Sequence, residues 1–352
     1  MMLAELQLRN FRCFEALRVE LAPGFNFFLG RNGQGKTSII EAACVLLRLQ
    51  SQRTSTLGPV VRFGEKAFGV SGAIENHRLD FRYSALRRKV SIDEVEQRTL
   101  GEYLRLGRVV SFANTDIELV RGGSDARRRY LDFLGSQIDP LYRPSLRAYE
   151  RALRSRNALL KSAQPRKREI AAYDQPLIEH GTKLGAIRAR LVERLAPLAT
   201  DAHQQISGVE ENLQICFTPG NKEDFAGDLA DSQTQELRLR QTIVGPHRDD
   251  IELLVQGKKA PQFASEGQQR TVALALKIAQ ARLFALEEGT PPLLLIDDIF
   301  GELDPVRRNQ LLANLPGEAQ KLVTATAMQW SETEIAGPVY ELRDRTLIRT
   351  DS

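Results

Sequence analysis

Three cysteines in 352 residues, Cys13, Cys44 and Cys216, are odd in number and too far apart for a disulfide framework, and no CxxC pair offers a metal cluster. They read as buried hydrophobes. No apolar run approaches the ~20 residues that a bilayer crossing requires; among the longest is PPLLLI at 291–296. The N-terminus carries acidic and polar residues where a signal peptide would be apolar, so a cytoplasmic location without a membrane partner is expected. A large excess of one charge is also missing: the formal net charge is +4 and the pI about 9.0. The arginines nevertheless bunch at 87–89 (RRK), 127–129 (RRR) and 166–168 (RKR). Singly, such runs are more often solvated helix faces than binding sites, and only their convergence in space would make a surface for an anionic partner. Internal repeats and low-complexity tracts are absent.

What is present is the composition of a globular protein, 42% hydrophobic and 27% charged. Its length, against ~100–200 residues per domain, implies two domains or one domain carrying an insertion. The stretch LAELQLRNFRCFEALRVELAPGFNFFLG alternates apolar and polar positions and is broken at Pro23-Gly24, as sheet strands would be. Period-two patterns continue through VVRFGEKAFGVSGAIENHRLDFRYS, punctuated by Gly64, Gly69 and Gly72, and predict antiparallel strands. From about Pro140 the pattern turns helical: Leu146, Tyr149, Leu153 and Leu160 precede a break at QPRKR, and Leu177, Leu184, Leu191 and Leu198 then recur every seven residues. A compact lobe of antiparallel helices is expected, without an extended coiled coil. Asp174 would cap the second long helix, with Pro176 in its first turn. Strands are expected at Leu213–Phe217 and Leu293–Ile296, an exposed polar stretch at 221–236, and a terminal hairpin in PVYELRDRTLIRT.

GRNGQGKTS, 30–38, carries the most specific chemistry. Gly30, four residues, then Gly35-Lys36-Thr37 is phosphate-loop spacing. Amides of such a loop cradle phosphate oxygens, the lysine neutralises them and the threonine hydroxyl reaches Mg²⁺. The context fits, because a short buried strand (Phe25–Leu29) precedes the loop and an apolar-striped helix (Ser38–Leu49) follows it. Gly30, Arg31, Asn32, Gly33, Gln34, Gly35, Lys36, Thr37 and Ser38 are therefore the expected nucleotide cradle.

Two further segments agree with it. PPLLLIDDIFGELD, 291–304, ends an apolar strand in two carboxylates, the Walker B pattern: Asp297 would hold Mg²⁺ together with Thr37, and Asp298 would polarise the attacking water. In FASEGQQRTVALALKIAQARLF, 263–284, Ser265 caps an amphipathic helix and Gly267 permits close approach, so Ser265, Gly267 and Gln268 form a second phosphate-attracting helix start. Lys36, Asp297 and Asp298 are the expected catalytic residues, with ATP and Mg²⁺ as cofactors.

The order phosphate loop, SxGQQR-type signature, hydrophobic-DD-xxx-ELD resembles the ABC-type ATPase heads of the SMC class. Nearly the whole chain is similar to one family within it, the RecF recombination-repair proteins, through LRNFRCF at 8–14, SQRTS at 51–55, RGGSDARRRYLD at 121–132, LYRPSLRAYERALRSRNALLK at 141–161 and VGPHRDDI at 244–251. The resemblance implies an α/β ABC-type ATPase head with mixed sheets around a phosphate-loop helix, plus an inserted helical lobe. The expected divisions are 1–110 for the first part of the head, 111–207 for the lobe, and 208–352 for the second part with signature and Walker B. It also implies that the signature serine of one copy caps ATP held by the phosphate loop of another, so that ATP joins a homodimer, with Glu302, Leu303 and Asp304 in a loop at that interface. Such dimers bind DNA at gaps and single-strand/double-strand junctions and, with RecR and RecO, help load RecA; weak, DNA-stimulated hydrolysis serves as the release switch. An ABC transporter's ATPase subunit and another SMC-like DNA clamp are the alternative readings.

The chain departs from the pattern in two places. FANTDI at 112–117 stands where the family has a stretch resembling FAPEDL, and LVTATAM at 322–328 contains no histidine where transporters place one, which makes Thr324 or Thr326 the expected γ-phosphate sensor. His247, Arg248, Asp249 and Asp250 contain metal-ligating residue types, but adjacent carboxylates on a strand would alternate faces, and a structural role is expected.

Overall fold

The alternation in LAELQLRNF becomes a strand whose inward residues are Leu3, Leu6, Leu8 and Phe11, with one slip of register between Leu3 and Glu5. The structure, a computed structural model, describes residues 1–54, 56–208, 211–327 and 336–350; Ser55 of SQRTS and Met328 of LVTATAM lie outside them. The chain runs through β1 (Leu3–Phe11), β2 (Phe14–Glu20), β3 (Phe25–Leu29), α1 (Lys36–Arg48), a meander of β4 (Ala67–Ile74), β5 (His77–Ser84), β6 (Arg88–Ile92) and β7 (Val95–Glu96), then α2 (Gly101–Arg105) and β8 (Val109–Ala113). A helix-rich stretch follows: α3 (Glu118–Arg121), α4 (Ser124–Ile138), α5 (Tyr142–Leu160), α6 (Lys167–Ala171), α7 (Asp174–Ser207), β9 (Leu213–Thr218), α8 (Phe225–Leu239), β10 (Asp250–Val255), β11 (Lys258–Lys259), α9 (Ala260–Phe263) and α10 (Glu266–Glu288). The chain ends with β12 (Leu293–Asp297), α11 (Pro305–Asn314), β13 (Lys321–Ala325), β14 (Val339–Arg343) and β15 (Thr346–Thr350).

These elements form two compact units, Met1–Asp116 with Lys277–Ser352, and Ile117–Leu276. In the first, an antiparallel sheet in the order β2-β1-β4-β5-β6-β7 and a second sheet in the order β15-β14-β3-β13-β12-β8 both touch α1. The second sheet is parallel from β14 to β8, with β15 antiparallel at its edge. Helix α1 is buried on nearly every side, Ile39 to Leu47 included, which is why its sequence is apolar all round rather than striped. Strand β13 lies between β3 and β12, so the C-terminal ends of the loop-bearing and carboxylate-bearing strands are one strand apart.

The second unit is larger than the expected lobe. Strands β9 to β11 form a three-stranded antiparallel sheet whose β9 packs on α7 and whose β10 packs on α4, so the boundary expected at 207 moves to Leu276. The heptad also gives way along α7: Leu177, Leu184 and Leu191 are buried, but Leu198 is only half-buried and Leu195 takes the inward position, as a straight helix of 3.6 residues per turn requires. The stretch 221–236 is largely exposed as expected, but it also supplies most of α8, capped by Asp224 and buried along one stripe of Phe225, Leu229, Ser232 and Glu236. Asp174 is the first residue of α7 rather than its cap, and its carboxylate accepts from Arg156 Nε at 2.9 Å.

Buried arginines hold this unit together. Arg188 donates to Asp132 at 2.6 Å, Tyr142 Oη at 2.8 Å, Asp249 at 2.9 Å and the Pro246 carbonyl at 2.6 Å. Arg156 pairs with Glu236 at 2.7 Å as well as with Asp174. VGPHRDDI is thus a packing corner. His247 accepts the Tyr149 hydroxyl at Nδ1 (2.6 Å), and since a carbonyl only accepts, its Nε2 carries the proton given to Thr242 O at 3.0 Å. Burial pushes the imidazole down to about 4 from 6.5, with Arg248, Arg128 and Arg156 adding to the effect against the Thr242 hydrogen bond. The unfolded chain therefore binds the extra proton first: this stabilisation is complete above pH 6.5 and disappears as pH falls toward about 4, worth up to about 3 kcal/mol. Urea unfolding between pH 7 and 4.5 should show that slope, and His247→Gln should flatten it.

Candidate nucleotide site

The phosphate loop is shaped by glycines that nothing else can replace. A Cβ on Gly30 (φ +150°) would stand 2.7 Å from the Leu342 carbonyl, and one on Gly35 (φ +108°) 2.6 Å from Cys13 Sγ and 2.7 Å from the Phe14 ring. The tight turn sets Lys36 as the first residue of α1; the Ser38 N–H already donates to the Gly35 carbonyl at 2.9 Å, and the amides before it at the helix start attract anions. Lys36 Nζ bonds the loop's own backbone, at 2.6 Å to Gly30 O and 3.2 Å to Arg31 O. Burial pushes its ammonium down from the ordinary lysine value, against the opposing pull of Asp298 and Asp297.

Thr37 meets the Walker B strand directly. Its hydroxyl donates to Asp297 Oδ1 at 2.8 Å, and Thr324 on β13 donates to the same oxygen at 2.7 Å. Asp298 has φ +54°, left-handed for a residue with a side chain. Its N–H reaches Thr324 O at 3.2 Å and Thr324 Oγ1 at 3.0 Å, and its carbonyl accepts from Asn114 Nδ2 at 3.1 Å. Burial raises the Asp298 carboxyl above the usual range, Lys36 opposes this, and Asp297 and Glu302 reinforce it. A hydroxyl and a carboxylate in contact suit a hard divalent cation such as Mg²⁺, and the adjacent lysine and helix start suit a polyphosphate, so the residues present fit MgATP.

The structure thus brings together Lys36, Thr37, Asp297 and Asp298 as the sequence predicts. Thr324, expected near the γ-phosphate, is fully buried, its hydroxyl donating to the Asp297 carboxylate and accepting from the Asp298 N–H, whereas Thr326 is exposed. LRNFRCF and SQRTS converge on Glu41 of α1, which is fully buried and held by Arg12 at 2.6 and 2.8 Å, by the Ser51 hydroxyl and by Arg53 at 3.6 Å. Glu41 was not singled out from sequence; a carboxylate inside an apolar helix was the available signal.

In the second unit, Ser265 and Gln268 form a reciprocal capping box: Ser265 N–H donates to Gln268 Oε1 at 2.8 Å and Gln268 N–H to Ser265 Oγ at 3.3 Å. Gln268 Nε2 also donates to Glu211 at 2.7 Å, and Ser265 and the neighbouring Phe263 are exposed. Gly267 follows in the first turn of α10. In the ELD stretch, Leu303 is buried and Asp304 caps α11 through Arg307 N at 2.9 Å. The arginine runs are partly structural. Arg127 grips Asp250 at 2.6 and 3.0 Å, Arg128 donates to Asp249 O at 2.8 Å, and Arg87 and Lys89 both pair with Glu96.

This arrangement of two sheets on a phosphate-loop helix, with Walker B one strand away and a serine-capped signature helix, defines an ABC-type ATPase head of the SMC class. A family model described as the RecF/RecN/SMC N terminal domain matches residues 2–335. The DNA replication and repair protein RecF of Lactococcus lactis subsp. cremoris is 35% identical over 93% of this chain and 93% of its own, and that of Rippkaea orientalis 36% identical over 95% and 96%. Among solved structures, the recombination mediator protein RecF-ATPrS in the RecFOR pathway superposes with a TM-score of 0.89 at 29% identity, covering 99% of this chain and 98% of that one. The Smc head domain from Pyrococcus furiosus, at 16% identity and a TM-score of 0.55, shares the fold. The chain belongs to the RecF family of DNA replication and repair proteins. Among the described residues, no helix is long and apolar enough to cross a membrane.

Proposed function

We propose that this chain is an ATP-switched recombination mediator that closes as a homodimer on gapped or junction DNA. One observation carries the reading: Thr37 and Asp297 in contact at 2.8 Å beside Lys36, in a chain that also presents an exposed, serine-capped helix start at Ser265. Lys36 and the amides from Gly30 to Ser38 bind and orient the triphosphate, while Thr37 and Asp297 hold Mg²⁺. Held there, the cation would neutralise phosphate charge. Asp298 positions and deprotonates water, a role that its raised proton affinity suits. Ser265, Gly267 and Gln268 of a second copy cap the terminal phosphate, so nucleotide and dimer form together. Hydrolysis is weak, stimulated by DNA, and releases it.

The family likeness supports the rest. A solved relative is a RecF-ATP structure in the RecFOR pathway, and RecO and RecR are accordingly proposed as partners that, with this chain, bring RecA to single strands. Contacts from exposed arginines to phosphates would be sequence-blind, with log K falling ~0.9 per neutralised phosphate against log salt. Sedimentation with ATP, ADP or no nucleotide, with and without gapped DNA, tests the proposal. A dimer only with ATP, bound to DNA in a salt-sensitive way, is expected; a nucleotide-indifferent monomer would refute it.

A further inference from the structure

Asp298 is the site's strained residue. At φ +54° it occupies a region that costs a residue with a side chain free energy unless its surroundings impose it. Here both polar groups of its backbone are taken: the N–H by Thr324, through carbonyl and hydroxyl, and the C=O by the Asn114 side chain at 3.1 Å. The two holders come from different strands. Asn114 directly follows β8 and Thr324 lies within β13, the parallel neighbours on either side of β12. The same Thr324 hydroxyl donates to Asp297 Oδ1 at 2.7 Å.

We propose that Asn114 and Thr324 are positioning residues for hydrolysis: a clamp across β12 that fixes the left-handed turn at Asp298 and so aims its carboxyl. Neither acts on substrate. Asn114 works on Asp298 alone, whereas Thr324 holds both aspartates, one by the backbone and one by the side chain. Because Thr37 also holds Asp297 Oδ1, at 2.8 Å, loss of Asn114 leaves the proposed cation ligands in place. The inference rests on the role proposed above for Asp298.

Asn114→Ala should lower kcat about 10- to 100-fold, the loss expected when a catalytic group is misaimed by about an ångström. KM for ATP, equilibrium binding of a fluorescent ATP analogue and the Mg²⁺ dependence should stay within twofold of wild type. Thr324→Val should lower kcat and also raise the Mg²⁺ concentration at half-saturation, while Thr324→Ser, which keeps the hydroxyl, should restore both. A thermal double-mutant cycle supplies a readout independent of turnover. Asp298→Gly keeps the carbonyl that Asn114 holds but removes the strain of φ +54°, so Asn114→Ala should lower Tm by the full effect of the lost hydrogen bond in Asp298→Gly and by clearly less in the wild-type background, where the freed turn relaxes and recovers part of that strain. Equal Tm losses in both backgrounds, or equal losses of nucleotide binding and turnover in Asn114→Ala, would overturn the clamp. If Asp298→Asn keeps full turnover, the role of Asp298 fails instead, whatever the Tm cycle shows.

Discussion

Lys36→Arg is expected to bind ATP within a few-fold of wild type yet release phosphate ~10²- to 10³-fold more slowly, the usual effect of displacing one donor from a transition-state charge. Charge is kept; geometry is not. Lys36 is only 6% exposed, and its Nζ sits 2.6 Å from the Gly30 carbonyl inside a turn where neither Gly30 nor Gly35 leaves room for a Cβ. A planar guanidinium is too broad to put one nitrogen where the ammonium is, so it holds the nucleotide from a shifted position. Equilibrium binding with a fluorescent analogue beside a phosphate-release assay separates the two effects. Undiminished turnover would remove Lys36 from the site.

Ser265→Arg should have an equally large effect on a different quantity. The serine hydroxyl accepts the Gln268 amide, and losing that cap costs the helix about 1 kcal/mol, too little to unfold the chain. The phosphate loop belongs to the other compact unit, so ATP affinity should be unchanged. ATP-driven association, however, should weaken by about 100-fold or more, because a bulky cation replaces a small donor where the partner's nucleotide must fit. Light scattering with a non-hydrolysed analogue reads this directly. Ser265→Thr, which retains a capping hydroxyl, serves as the control for helix integrity.

Strand, loop and helix at 25–49 were legible because glycine spacing and apolar periodicity are local properties, and so were the carboxylates ending β12 and the cap at Ser265. The fold class followed from motif order. What sequence could not display are partnerships made at long range. Thr324 stands out in the sequence only as one of two threonines expected near the γ-phosphate; that its hydroxyl lies between Asp297 and the Asp298 N–H is visible only in the fold. Asn114, in the stretch that departs from FAPEDL, shows its use only once the Asp298 carbonyl lies beside it. Helix α8 was hidden because its inward stripe passes from Phe225 and Leu229 to Ser232 and Glu236, and Glu236 is buried because Arg156 from α5 and the Ile243 N–H meet its carboxylate. The division at Leu276 was hidden for a similar reason: the strand expected at Leu213–Phe217 was assigned to the head, but β9 packs on α7 and its neighbour β10 on α4, helices of the lobe.

The central claim is that one complete site uses the phosphate loop of one copy and the Ser265 helix of another. Mixing Lys36→Arg with Ser265→Arg tests it most directly, by phosphate release per total protein. In a mixed dimer, the intact loop of the Ser265 variant faces the intact serine of the Lys36 variant, so the mixture should recover a substantial part of wild-type turnover although each variant alone is nearly inactive. A mixture no more active than its parts, together with wild-type specific activity independent of protein concentration, would contradict a site shared between copies.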